Sequence, residues 1–174
     1  MDVIPLVKKP YLLQQCGEWT AGLLDKGFDR VLIIWDLYPA WREAGVNPCR
    51  REDREVIFGA LEKAGVATAQ IEAQIGLVCI QEELEAWLIA DGRALSAVLS
   101  TQVHPVRVRN VRNPEQIKNP KKALMRKFKE HTGRPYSDLF HAIKIVRALP
   151  DLNRLNRLET FSRFCRKLEC VETG

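Results

Sequence analysis

The sequence predicts an α/β fold: a small, mainly parallel sheet flanked by helices, followed by a helical C-terminal part. Three observations carry this. Two short, uninterrupted apolar runs, Val31-Leu-Ile-Ile-Trp-Asp36 and Ile75–Ile80, have the composition of strands buried on both faces. Helical apolar stripes separate and follow them. From Asn119 onward only helical patterns recur.

Residues 3–7 are short and apolar and are expected to form a strand. Leu12, Leu13, Cys16, Trp19, Leu23 and Leu24 recur at helical spacing over 11–26, with Gly27 at a C-cap position. After Asp36 comes a loop with Pro39, Gly45, Asn47 and Pro48. A helix over 51–64 follows, closed by Gly65, and 66–75 is ambiguous. Beyond Ile80, Leu84, Trp87, Leu88, Leu95, Val98 and Leu99 form another helical stripe. Residues 103–118, with Pro105, Pro114 and alternating Val and Arg, read as a connector with a short extended piece. Asn119 and Pro120 are an N-cap and first-turn pair opening a helix to about residue 131. Further helices are expected over 137–149 and 155–169. The expected organisation is a core over 1–103 and a basic helical extension over 104–174, packed on that core.

The chain has 174 residues, 46% of them hydrophobic, enough for a real core. No stretch approaches the roughly 18–20 apolar residues of a membrane span, and the start lacks a signal-peptide design. A soluble, cytoplasmic protein without membrane partners is the expectation. The five cysteines include no CxxC pair, which argues against a disulfide framework or structural zinc site. Cys79, inside an apolar run, reads as a core residue. Net charge is +5, unevenly divided: 1–103 holds 10 basic and 15 acidic residues, 104–174 holds 17 and seven. This fits either an acidic site served by a basic surface or a set of solvated helix faces.

Asp36 follows a buried strand, and open parallel sheets build sites beyond the carboxyl ends of their strands. Its carboxylate suits a hard cation such as Mg²⁺, or caps a turn. Glu82, Glu83 and Glu85 crowd the next strand end, where they complement a helix dipole or hold a metal. Asp91 interrupts an apolar stripe and caps the segment opened by Gly92, or hydrogen-bonds within the fold. His104, His131 and His141 have no ligand spacing, and no nucleophile triad or phosphate-binding glycine loop is present. Lys118, Lys121, Lys122, Arg126, Lys127 and Lys129 surround one helix. Arg154, Arg157, Arg163, Arg166 and Lys167 form a second basic group. Both sets suit phosphates or simple solvation.

Taken together, Ile4-Pro-Leu-Val-Lys-Lys, Val31-Leu-Ile-Ile-Trp-Asp36, Glu83-Leu-Glu-Ala-Trp-Leu-Ile-Ala-Asp91, Asn119-Pro-Lys-Lys-Ala-Leu, Tyr136-Ser and Phe161-Ser-Arg-Phe resemble an uncharacterised prokaryotic family with a TOPRIM-like fold. Its members are often encoded beside an AAA or ABC-type ATPase. The resemblance implies a metal-dependent nuclease or phosphotransferase acting on nucleic acid, in a genome-defence setting. It places Mg²⁺ or Mn²⁺ on Asp36, Glu83, Glu85 and Asp91, with Asp36, Glu83 and Glu85 catalytic and Lys121, Lys122 and Arg126 on the phosphate backbone. Tyr38 stands where TOPRIM domains carry the second acid of an Asp-x-Asp pair. Such families also begin with a strand and acid that would precede Met1, so the reading expects that strand to be missing. The alternative expectation is therefore a non-catalytic nucleic-acid-binding or ATPase-partner module with a degenerate site.

Overall fold

The computed structural model describes residues 2–6, 8–38 and 49–169. The described chain is a mixed α/β protein, mostly helical. It forms two compact units, residues 1–80 with 164–174, and residues 81–163.

In the first unit, α1 (Lys9–Asp25), β1 (Val31–Asp36), α2 (Arg50–Lys63), α3 (Thr68–Gln74) and β2 (Ile75–Ile80) follow in order. The strands pair in parallel, with Val31 opposite Ile75 and Asp36 opposite Ile80. The expected parallel pairing is present, but among the described residues β1 is buried on one face only: Val31, Ile33 and Trp35 are buried, whereas Leu32 is half-buried and Ile34 exposed. Leu13, Cys16, Val31, Ile33, Trp35, Ile57, Leu61, Val66, Ile71 and Cys79 form the core. Gly17 lets α1 approach α2 closely, because a Cβ there would collide with the Ala60 carbonyl oxygen. Gly65, at φ 82°, ends the α2 turn in the left-handed region that glycine tolerates. The ambiguous stretch 66–75 resolves into α3 running directly into β2.

Residues 2–6 form no strand, contrary to expectation. Pro5 has no N–H to give a ladder, and Pro10 falls in the first turn of α1. Val7, Pro39, Gly45, Asn47 and Pro48, named in the sequence reading, and Cys170, one of the five cysteines, lie outside the described residues.

The second unit contains α4 (Glu85–Ile89), α5 (Gly92–Leu99), α6 (Pro120–Thr132), a π-helical turn (Asp138–Ala142) continuing into α7 (Ile143–Arg147), and the start of α8 (Glu159–Glu169). Leu88, Ile89, Leu95, Leu99, Leu124, Phe128, Tyr136 and Ile145 are buried together. The helices at 85–99, grouped in the sequence reading with 1–103, thus share a core with α6 and α7. Their apolar stripe is wide enough to need a helical partner.

No strand forms over 103–118. Ser96 Oγ instead accepts from the Val108 N–H and Ser100 Oγ from the Val106 N–H, each at 2.8 Å, so side chains satisfy backbone that a ladder would have paired. Asn119 caps α6 as expected, accepting the Lys122 N–H at 2.9 Å from a left-handed backbone, and Gly133 closes it at φ 67°. The last helix starts at Glu159 rather than 155, because residues Leu152–Leu155 form a 3₁₀ turn capped by Asp151.

Candidate functional site

Asp36 closes β1 and is half-buried, at the carboxyl edge of the parallel pair. Beside that edge the sequence reading missed a buried ion pair. Lys9 Nζ lies 2.8 Å from Asp53 Oδ2 and donates to the Leu37 carbonyl at 2.7 Å. The Trp35 indole N–H donates to the same Asp53 oxygen at 3.0 Å. Asp53 is 1% exposed, and its second oxygen has no hydrogen-bond partner among the described residues. A signal existed: Asp53, Ile57 and Leu61 stand at i, i+4 and i+8, so the acid occupies the buried stripe of α2. The neighbouring Cys79 thiol is pushed up to about 12, first by burial and then by the Asp53 charge. It is an inert core residue, as its apolar run implies.

The second unit holds the other acids. The strand ends at Ile80 and α4 begins at Glu85, so Glu83 lies in the intervening turn, where Glu82 takes a left-handed φ of 63°. Glu83 Oε2 accepts the Lys121 backbone N–H at 2.9 Å, a charge-assisted bond to the N-terminus of α6. Glu85 is 7% exposed, with Lys121 Nζ at 3.8 Å from its Oε1. Burial holds the Glu85 carboxyl above its ordinary range, against opposing backbone and Lys121 contributions. The Lys121 ammonium also donates to Asp138, and that bond raises its pKa. Tyr136 is buried within the field of Glu85 and Asp138, and its hydroxyl has no hydrogen-bond partner among the described residues. Burial and these two charges push the phenol upward. The unit thus gathers Glu83, Glu85 and Asp138 around Lys121, with Tyr136 alongside. Asp138 and Tyr136 were not singled out from sequence as parts of this cluster, because neither shares an element with the Glu pair.

Asp91 is the N-cap of α5. Its Oδ1 accepts the Arg93 and Ala94 N–H groups at 2.8 and 3.0 Å, and Arg154 Nε meets its Oδ2 at 2.5 Å. Burial would raise its pKa, but the two amides and the guanidinium outweigh it and hold the carboxyl low. The capping role left open by the sequence is the one observed.

Of the three basic residues expected on phosphates, Lys122 and Arg126 are exposed, whereas Lys121 is turned to the acids. Lys122, Arg126 and Lys129 stand at i, i+4 and i+7 on the face of α6 opposite the buried Leu124 and Phe128. The unit 81–163 carries 16 basic and nine acidic residues, a net charge of +7.

Oxygen donors are the right chemistry for Mg²⁺. Among the described residues, however, no group of three or more His, Cys, Asp or Glu side chains could hold one ion. Within the second unit the reason is local. Lys121 occupies the charge position between Glu85 and Asp138, an amide takes Glu83, and both Asp91 oxygens are engaged. These carboxylates, as arranged, do not fit a metal cage.

No helix among the described residues is long and apolar enough to cross a membrane. No curated protein and no solved structure matches the chain. Residues 5–169, nearly the whole sequence, match one family, and the chain accordingly belongs to the Domain of unknown function family DUF4276.

Proposed function

We propose that this protein is a nucleic-acid-binding module whose second unit grips the phosphate backbone through the exposed face of α6. The observation that carries the reading is the stripe Lys122, Arg126 and Lys129 on a unit of net charge +7. Exposed cations at this spacing release counterions when they meet phosphates, so binding weakens steeply with salt. Fluorescence anisotropy with single- and double-stranded DNA and RNA, across a salt series, tests it. Lys122→Glu with Arg126→Glu is expected to flatten the log–log salt slope by about 1.8, two contacts' worth on duplex DNA. An affinity indifferent to salt, or to both charge reversals, sinks the proposal. The ATPase partner implied by the resemblance is carried with it: Leu139, Phe140, Ile143 and Val146 are exposed apolar side chains that a protein partner would cover.

A second reading is a TOPRIM-like metal-dependent nuclease or phosphotransferase. It is favoured by Asp36 at the carboxyl edge of a parallel strand pair, and by a buried Glu85 whose ionised form the surrounding protein only partly compensates. In it, Asp36 in the first unit and Glu83 with Glu85 in the second would each offer carboxylate oxygens to Mg²⁺ or Mn²⁺, the second-unit pair only once Lys121 gives way. Calorimetry with Mn²⁺ separates the readings, with Asp36→Ala and Glu85→Ala as controls. Cleavage of DNA or RNA that needs both residues establishes the enzyme. Activity surviving both substitutions removes these residues from it.

A further inference from the structure

The second unit contains a half-open pocket of about 330 Å³ lined by Ala90, Asp91, Asn110, Arg154, Leu155 and Arg157. Its acceptors are spent. Asp91 Oδ1 is taken by the α5 amides and Oδ2 by Arg154, Asn110 Oδ1 accepts the Gly92 N–H at 2.8 Å, and the Ala90 carbonyl accepts from Arg157 at 2.8 Å. Its donors are not. Neither Nη of Arg154, nor Asn110 Nδ2, nor Arg157 Nε has a partner among the described residues. Arg157 is itself fixed by bonds from its Nη atoms to the Ala90, Val111 and Arg112 carbonyls, so its charge stands in place before any ligand arrives. With Asp91 counted, the pocket keeps one net positive charge.

We propose that this pocket binds a phosphoryl group carried by a nucleotide. Donors from three side chains match the three terminal oxygens of a phosphoryl group, whereas a carboxylate offers two. A volume of about 330 Å³ stands at the low end of the roughly 300–1,000 Å³ of small-ligand pockets. It leaves room for a sugar against Ala90 and Leu155 beside the phosphoryl group. The group could come from a free nucleotide or from the phosphorylated end of a strand, and the two are separated below. The inference rests on the pocket and not on α6.

Calorimetry on the full chain with adenosine monophosphate and with adenosine tests it. The phosphorylated ligand is expected to bind at least about tenfold more tightly, the worth of one charge-assisted hydrogen bond. Asn110→Asp keeps the oxygen that accepts from Gly92 but replaces the free amide donor with negative charge, so the fold is retained while affinity falls by about tenfold or more. Arg154→Lys tests the fork while keeping a cation for Asp91, and thermal melting certifies both variants. Equal binding of the two ligands, or undiminished binding to Asn110→Asp, overturns the proposal. Tighter binding of a 5′-phosphorylated than a 5′-hydroxyl oligonucleotide identifies a strand end as the source. Preference for the monophosphate alone identifies the free nucleotide. The α6 charge reversals are expected to spare monophosphate binding, so failure of the backbone-binding reading and failure of this one are distinguishable.

Discussion

Lys9–Asp53 in the first unit and Lys121–Glu85 in the second are both ion pairs involving a buried acid, yet they are built for different purposes. Lys9 and Asp53 are enclosed, at 6% and 1% side-chain exposure, and meet at 2.8 Å beside the Trp35 N–H and the Leu37 carbonyl. Lys121 is 41% exposed and 3.8 Å from Glu85, and shares its charge with Asp138 on the surface side. The first pair is closed to water and to ligands, so its desolvation must be met by geometry alone. The second remains open to exchange: one cation serves two acids, and an incoming charge can compete for either. A buried charge pair therefore marks structure in one unit and a candidate site in the other.

The largest expected effect tests the closed pair. Asp53→Ala takes from buried Lys9 the carboxylate it meets at 2.8 Å, and is expected to destabilise by about 3–5 kcal/mol in denaturant titration. Replacing both partners, Lys9→Met with Asp53→Leu, is expected to recover most of that loss. If the double variant is as unstable as the single, the pair is not the unit described above.

Lys121→Met comes next. It removes the cation nearest to buried Glu85, with an expected loss of about 1–3 kcal/mol at neutral pH. The loss should shrink in acid, where Glu85 takes a proton. An equal loss at every pH would show that Lys121 acts through its alkyl packing instead.

Glu85→Gln is expected to move stability the other way. Burial raises the folded pKa of Glu85 above its unfolded value, so the native state binds the proton more tightly. The contribution of Glu85 is thus most favourable below the unfolded value and declines as pH rises through the folded one. The glutamine variant should melt higher than the parent near neutrality, and the gap should close below about pH 4.3. Asp91 has the opposite sign. Its folded pKa is depressed, so the stability it contributes is present above its unfolded value and lost as pH falls through the folded one. Asp91→Asn should therefore flatten the acid limb of the melting curve.

The smallest effect on stability is expected for Lys122→Glu and Arg126→Glu, within about 0.5 kcal/mol, because both side chains are exposed. Their full effect should fall on nucleic-acid binding, the converse of Asp53→Ala.

Local pattern determined much of this protein. The continuous apolar runs marked β1, β2 and their parallel pairing, although the second face of β1, with Ile34, stays open among the described residues. Asn119 and Gly133 set the ends of α6, and the gap between Lys122, Arg126 and Lys129 placed all three on its outer face. Short-range periodicity carries no information about which distant side chains meet. Tertiary packing decided that Lys121 turns inward to Glu85 and Asp138 while its neighbour Lys122 faces out, and that Asp91 meets Arg154 across 63 residues of chain. It also decided that Asp53 is paired with Lys9, because a charge on a buried stripe must find its partner wherever the fold brings one. The acid cluster was legible as a set of residues. Its present electrostatic state, compensated in part by one lysine and one amide, was not, because that depends on contacts between helices whose sequences do not refer to one another.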